Sequence, residues 1–150
     1  NMMIIITSPN ADAESIFIIN LIKKFIKKNK LNNFLFYKSL GSQIYLSLLN
    51  FVDGVVGNSS SGISEAPFFG IGTVNIGDRQ DGRIMSSSIV NCKPSEKSII
   101  KSIKRILNGK FKKNVRVMKR IYGDGNTSKK ITRKLSTFNF EKYRKKIFYE

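Results

Sequence analysis

Asp53-Gly54-Val55-Val56-Gly57-Asn58-Ser59-Ser60-Ser61-Gly62-Ile63-Ser64-Glu65-Ala66-Pro67-Phe68-Phe69-Gly70 is an apolar run that breaks into a small, hydroxyl-rich loop and resumes with helical character. Phe51 to Val56 suits a buried strand, and Gly57 to Gly62 holds only residues that let a backbone approach a ligand closely or that donate hydrogen bonds. A helix beginning near Gly62 or Ile63 would aim its first N–H groups into that loop, and unsatisfied N–H groups favour negative charge there. With Ser59, Ser60 and Ser61 as short donors at the same place, a phosphate or diphosphate is the natural guest. Glu65 would fall in the first helical turn, where a carboxylate repels phosphate unless it serves another part of the ligand, such as a sugar diol. The same composition also suits an ordinary turn, with the glutamate complementing the helix dipole and no ligand at all. The stretch is neither a P-loop, which needs a Lys after the second Gly, nor the spaced-glycine dinucleotide fingerprint.

The 150 residues allow one domain with a real core, and 41% apolar residues argue against disorder. No apolar run is long enough to span a bilayer, and Met2 to Ile6 is too short for a signal-peptide core, so no membrane insertion and a cytoplasmic location are expected. Cys92 stands alone and reads as a small half-buried hydrophobe. The chain has no His, which makes an ordinary zinc site improbable and removes the usual general base. The net charge of +17 invites a nucleic-acid or anionic-membrane reading. Its distribution tempers that. Residues 1–94 hold nine Lys and Arg against six Asp and Glu, whereas residues 95–150 hold eighteen against four. The excess is largely lysine scattered over expected helix surfaces, with no recognisable aromatic stacking motif, so no specific nucleic-acid partner is expected.

Outward from the serine loop, the strand-like segments are Met2 to Thr7, Asn32 to Tyr37, Gly72 to Ile76 and the short Ile89-Val90. Helical segments are expected over Ala13 to Lys28, with Ile18, Leu21, Ile22 and Phe25 as the apolar stripe, over Gln43 to Asn50, and from Ser95 to Leu107 with Gly109 as the stop. Thr127 can cap a helix bearing Ile131, Leu135 and Phe138, and Phe140 to Tyr149 is basic with one apolar side. Strands alternating with helices at this spacing imply parallel pairing through right-handed crossovers, a Rossmann-like, doubly wound α/β sheet. Ligands of such sheets lie beyond the carboxyl ends of the strands. Four loops fall at that edge: Ser8 to Asp12, Leu40 to Ser42, Gly57 to Gly62, and Gly77 to Arg83. The last offers Arg79 and Arg83, suited to forked contact with phosphate oxygens, or alternatively to a surface network with Asp78 and Asp81.

Pro9-Asn10-Ala11-Asp12-Ala13, the Gly57 to Pro67 stretch, Ile76-Gly77-Asp78-Arg79-Gln80-Asp81-Gly82-Arg83 and Tyr122-Gly123-Asp124-Gly125-Asn126 together resemble the hydrolysing UDP-N-acetylglucosamine 2-epimerases of sialic-acid and related nonulosonate biosynthesis. The likeness runs to about Leu135, with the motifs in the family's order and spacing. It implies the C-terminal, nucleotide-binding half of a GT-B fold, with residues 1–137 as the UDP-binding domain, residues 138–150 as a basic C-terminal helix, and an N-terminal partner domain outside this sequence. The start at Asn1 rather than Met fits residues upstream.

By position, the resemblance gives Ser59, Ser60, Ser61 and Gly62 the UDP diphosphate, Glu65 the ribose, and Arg79 and Arg83 the active site. It gives the backbone of Leu40, Gly41 and Ser42 the uracil side, and sets Asn10 and Asp12 at the cleft edge with no assigned role. The implied partners are UDP and a UDP-N-acetylhexosamine, and a homodimer of the longer protein is compatible. The implied reaction eliminates UDP with loss of the proton at C2 and then hydrates the glycal. By the resemblance, the carboxylates implicated in that chemistry lie in the N-terminal domain and a cleft histidine upstream of these residues, so no catalytic residue, metal or organic cofactor is expected within them and the chain alone is expected to be inactive. Two other readings stand beside this one: the nucleotide-binding domain of a GT-B glycosyltransferase, and a basic nucleic-acid or membrane-surface module.

Overall fold

The computed structural model describes residues 2–9, 14–118 and 121–143. The chain forms two compact units, Asn1–Phe51 and Val52–Glu150. In the first, strand β1 (Ile4–Thr7) is followed by helix α1 (Ser15–Lys28), strand β2 (Phe34–Tyr37) and helix α2 (Gly41–Leu48). β1 and β2 are parallel, with Ile4 opposite Phe34 and Thr7 opposite Tyr37. The face of α1 that packs overlaps the expected one only in part: Ile22 lies on it, and Phe25, though exposed, meets the Phe34 ring edge-on. Ile18, Leu21 and Phe25 are exposed, while Ile19, Ile22 and Ile26 are half-buried. The helix sequence is apolar on more than one side, so periodicity alone does not choose between them, and a two-stranded ladder offers little sheet surface to cover. α2 begins earlier than expected, so Gly41 and Ser42 lie in its first turn, with the Gly41 N–H donated to Ser39 Oγ at 3.1 Å.

The second unit contains strand β3 (Gly54–Gly57), the short helix α3 (Ser60–Ser64), a 3-10 turn (Ala66–Phe69), strands β4 (Gly72–Ile76) and β5 (Ile89–Cys92), and helices α4 (Glu96–Leu107), α5 (Gly109–Arg116) and α6 (Thr127–Ser136). The sheet order is β3-β4-β5 with both pairings parallel, the α/β arrangement expected of a Rossmann-like chain. Central β4 is buried along Gly72 to Asn75, whereas Phe51, expected to begin the β3 strand, is exposed because that strand starts only at Gly54. Val74, Val90 and Ile106 form the core, with Ile76, Cys92, Ile103, Leu107 and Phe111 packed around them. Cys92 thus fills apolar space, as its isolation suggested. Ile106 reaches the sheet because two glycines make room. A Cβ on Gly72 would sit 2.8 Å from Ile106 Cβ and 2.9 Å from Phe111 Cε1, and one on Gly54 would sit 2.6 Å from Ile106 Cδ1.

Gly109 does not stop α4; it opens α5. Asn108 takes an extended conformation that ends α4, and its Oδ1 accepts from the N–H groups of Lys110 and Phe111, so the same residue starts the second helix. The cap position of α6 falls to Asn126 rather than Thr127. Ile131, Leu135 and Phe138 are exposed. Of the expected C-terminal basic helix, the described part forms a 3-10 turn at Glu141–Tyr143, and residues 144–150 lie outside the described residues. No helix among the described residues is long and apolar enough to cross a membrane.

Overpacking follows from the glycine contacts. Gly72→Ala should lower the unfolding free energy by about 1–3 kcal/mol in urea titrations, because neither the Ile106 Cβ nor the Phe111 ring edge is free to give way. Gly109→Ala meets no atom within 4 Å and should leave stability unchanged or slightly higher.

Candidate functional site

The serine loop is built on the carboxyl end of β3. Gly57 leaves the strand at φ +154°, and Ser59 sits extended as the N-cap of α3, its Oγ accepting from the Ser61 N–H at 3.3 Å. The helix therefore starts at Ser60, earlier than Gly62 or Ile63, because Ser59 supplies the cap and draws Ser60 and Ser61 into the first turn. It also ends early. Pro67 lies at the start of the 3-10 turn, where it cannot donate to a continuing α-helix. Glu65 consequently occupies the junction between α3 and the 3-10 turn, not a first turn. Its Oε2 accepts from the Ser61 hydroxyl, one turn back on the same face. Ser59 and Ser60 are exposed, Ser61 and Glu65 half-buried, and Gly62 buried.

Gly62 is buried for a definite reason. Thr73 Oγ1 donates to the Gly62 carbonyl at 2.8 Å, and a Cβ on Gly62 would lie 2.7 Å from Thr73 Cγ2. Helix α3 thus lies directly on β4.

The arginine loop follows β4. The Gly77 N–H, at φ +78°, is donated to the Cys92 carbonyl, Asp81 N–H to Asp78 O at 2.8 Å, and Arg83 N–H to Gln80 O at 3.3 Å. These turns leave Arg79 and Arg83 exposed and bury Gln80 between them. Neither arginine forms an ion pair with Asp78 or Asp81 among the described residues, so the surface-network alternative is not formed. Gln80 Nε2 instead donates to the Asn58 carbonyl at 2.8 Å, which ties the arginine loop to the serine loop. The far end of the arginine loop is held by Tyr122, whose hydroxyl donates to the Ile84 carbonyl at 2.5 Å.

Composition marks Tyr122 to Asn126 as a turn, and Asp124 makes it one. Its Oδ1 accepts from the Asn126 N–H at 3.0 Å and from Lys130 Nζ at 3.2 Å. The Asn126 backbone bond foremost, then the Asn126 side chain and Lys130, hold the exposed Asp124 carboxyl down at about 2, against an ordinary 3.8.

At the carboxyl ends of β4 and β5 lies an open cavity of about 430 Å³ lined by Gly77, Asp78, Asn91, Cys92, Lys93 and Pro94. Asn75, fully buried at the end of β4, donates to Asn91 Oδ1 at 2.9 Å beneath it. In the first unit, Leu40 is half-buried ahead of α2 and Ser42 is exposed; Asn10 and Asp12 lie outside the described residues. The Ser8 N–H is donated to the Tyr37 carbonyl at 3.1 Å, while its Oγ is buried without a partner. No three His, Cys, Asp or Glu side chains cluster to hold a metal among the described residues.

Residues 1–136 match the profile of the UDP-N-acetylglucosamine 2-epimerase family. The chain belongs to that family. Among its relatives, the GDP/UDP-N,N'-diacetylbacillosamine 2-epimerase (hydrolyzing) of Campylobacter jejuni is 38% identical over 76% of this chain and 29% of its own length. The polysialic acid biosynthesis protein P7 of Escherichia coli is 36% identical over 68% of this chain and 25% of its own. The UDP-N,N'-diacetylbacillosamine 2-epimerase (hydrolyzing) of Legionella pneumophila is 31% identical over 91% of this chain and 34% of its own. The chain thus spans about a third or less of these epimerase-family proteins. The serine loop, Glu65, the arginine loop and the Tyr122 turn all fall within the matched segment.

The Asp124 geometry sets a pH window. Because the folded carboxyl is held below its ordinary value, its contribution is present above that value and is lost only as pH falls through about 2. The Asn126 amide shift should therefore stay flat from pH 7 to 4 and move with a midpoint near 2 in an NMR titration, where an unbonded aspartate would move it near 3.8.

Proposed function

We propose that this chain is the nucleotide-binding part of a hydrolysing UDP-N-acetylglucosamine 2-epimerase, converting a UDP-N-acetylhexosamine and water to the free 2-epimer and UDP. Residues 1–137 act as the UDP-binding domain, and residues 138–150 as a basic C-terminal appendage. In this reading Ser59 and Ser60 present hydroxyls to the diphosphate from the exposed side of the loop, with Ser61 and Gly62 forming the backbone behind them. Glu65 takes the ribose, Arg79 and Arg83 neutralise charge on the departing UDP, and the backbone of Leu40 to Ser42 serves the uracil. Stabilising the leaving group where its charge develops is the contribution such a half can make to the elimination. Proton abstraction at C2 and delivery of water need groups this chain lacks, since it has no His, and we place them in the N-terminal part of the longer relatives. A cytoplasmic location fits an enzyme of UDP-sugars.

The observation that carries this reading is the Gln80 to Asn58 bond within a family-matched segment: it sets two exposed arginines and an exposed serine loop side by side at the carboxyl edge of one sheet. α3 has only five residues and a correspondingly small dipole, so the hydroxyls and guanidinium groups supply most of the attraction. The names of the Campylobacter and Legionella relatives make a diacetamido UDP-sugar the natural comparison substrate.

Calorimetry with UDP tests the site. The chain should bind UDP saturably and weakly, and removing the Ser59 and Ser60 hydroxyls together should weaken it roughly tenfold or more, since hydrogen bonds to charged groups contribute about 1.5–3 kcal/mol. Affinity that is equal for UDP and any polyanion and collapses with salt would instead favour a nucleic-acid module. Hydrogen exchange at the sugar C2 by the 150-residue chain alone is expected to be nil.

A further inference from the structure

Gln80 is the least exposed residue of the arginine loop, 4% exposed between two solvent-facing arginines, and its amide is only half used. Nε2 donates to the Asn58 carbonyl at 2.8 Å, while Oε1 is buried with no partner. A buried acceptor left unpaired counts against stability, and a side chain of equal length without it would fill the same space at less cost. Packing therefore does not account for an amide here. The donation does, and what it fixes is the peptide immediately ahead of Ser59, the residue that caps α3 and orients the serine loop. The opposite end of the arginine loop is pinned independently by Tyr122 on Ile84, so among the side-chain bonds of the described residues only that of Gln80 ties the loop to the serines.

We propose that Gln80 is a positioning residue for phosphate recognition: through the Asn58 carbonyl it sets the spacing between the Ser59-Ser60 hydroxyls and the arginines flanking it, so that both sets of donors meet one diphosphate. This rests on the diphosphate reading of the serine loop. Gln80 itself touches no ligand.

The test uses the 150-residue chain as wild type, Gln80→Met, Gln80→Glu and Ser60→Ala, with thermal unfolding measured beside NMR titrations of UDP and uridine. Gln80→Met removes the donor and the orphan acceptor together. It should melt at or above the wild-type temperature, bind UDP at least fivefold more weakly, and bind uridine as wild type does. Gln80→Glu keeps the shape but faces a carbonyl with a carboxylate; its UDP affinity relative to wild type should fall at pH 8 and recover toward pH 5, where a protonated carboxyl donates again. A folded Gln80→Met chain with unchanged UDP affinity, equal weakening of UDP and uridine, or a melting temperature well below wild type would each overturn the inference. Should Ser60→Ala leave UDP binding intact, or wild type bind none, the diphosphate reading itself is gone; if Ser60→Ala weakens UDP binding and Gln80→Met does not, only the role of Gln80 fails.

Discussion

The close approach of α3 to β4 is the constraint on which the second unit depends. Gly62 has no side chain because Thr73 occupies the space, and the Thr73 hydroxyl donates to the Gly62 carbonyl across that contact. A five-residue helix has almost no stability of its own, since nucleation consumes most of what its few internal bonds return. It holds its place here through burial of Gly62 and Ile63, through the Ser59 cap, and through the Thr73 bond. Once α3 is seated, the loop ahead of it has little freedom, and Asn58 is presented where Gln80 can reach its carbonyl. The same strand that anchors α3 on one side carries Gly72 and Val74 toward Ile106, so the core of the unit and the posture of its serine loop share a single support.

Much of this organisation is legible in the sequence because it is written in short-range chemistry. β-branched runs bounded by glycine mark β3 and β4, and the isolated cysteine behaves as the small apolar residue its surroundings call for. Boundaries are where reading fails. Gly109 reads as the stop of α4, but Asn108 ends that helix and its side chain caps α5, so the glycine opens the next helix instead. The α1 stripe is read only in part: its sequence offers two apolar faces, and packing keeps Ile22 of the expected residues but adds Ile19 and Ile26.

Within the site, the serines, Glu65 and the arginines are visible as polar groups clustered in loops; Gln80 and Tyr122 stand in the stretches that carry the resemblance, but what they hold does not show. Their value lies in contacts 22 and 38 residues away, and no local pattern encodes those. The clue available is indirect: an uncharged amide inside a loop otherwise made of Asp, Arg and Gly. Similarly, a helix starting near Gly62 or Ile63 does not foretell the pairing of Glu65 with Ser61, because only the start at Ser60 sets them one turn apart on a common face.

Charge completes the physical account. Most of the positive excess of this chain lies beyond residue 94, much of it on α4, α5 and α6, while the serine and arginine loops together carry two arginines, two aspartates and one glutamate. Attraction for an anion at the sheet edge therefore cannot come from net local charge, which is close to balanced. In the proposed reading it comes from orientation: arginines turned outward and unpaired with the aspartates beside them, the Ser59 hydroxyl set by its cap, and a carboxylate kept on its own serine. Oriented donors act over a few ångströms and discriminate by shape, whereas a lysine-rich surface attracts any polyanion and is screened within about 10 Å at ordinary salt. The two kinds of positive character in this molecule therefore differ in reach: the lysine-rich helices act at a distance and are subject to screening, the oriented donors act only at contact.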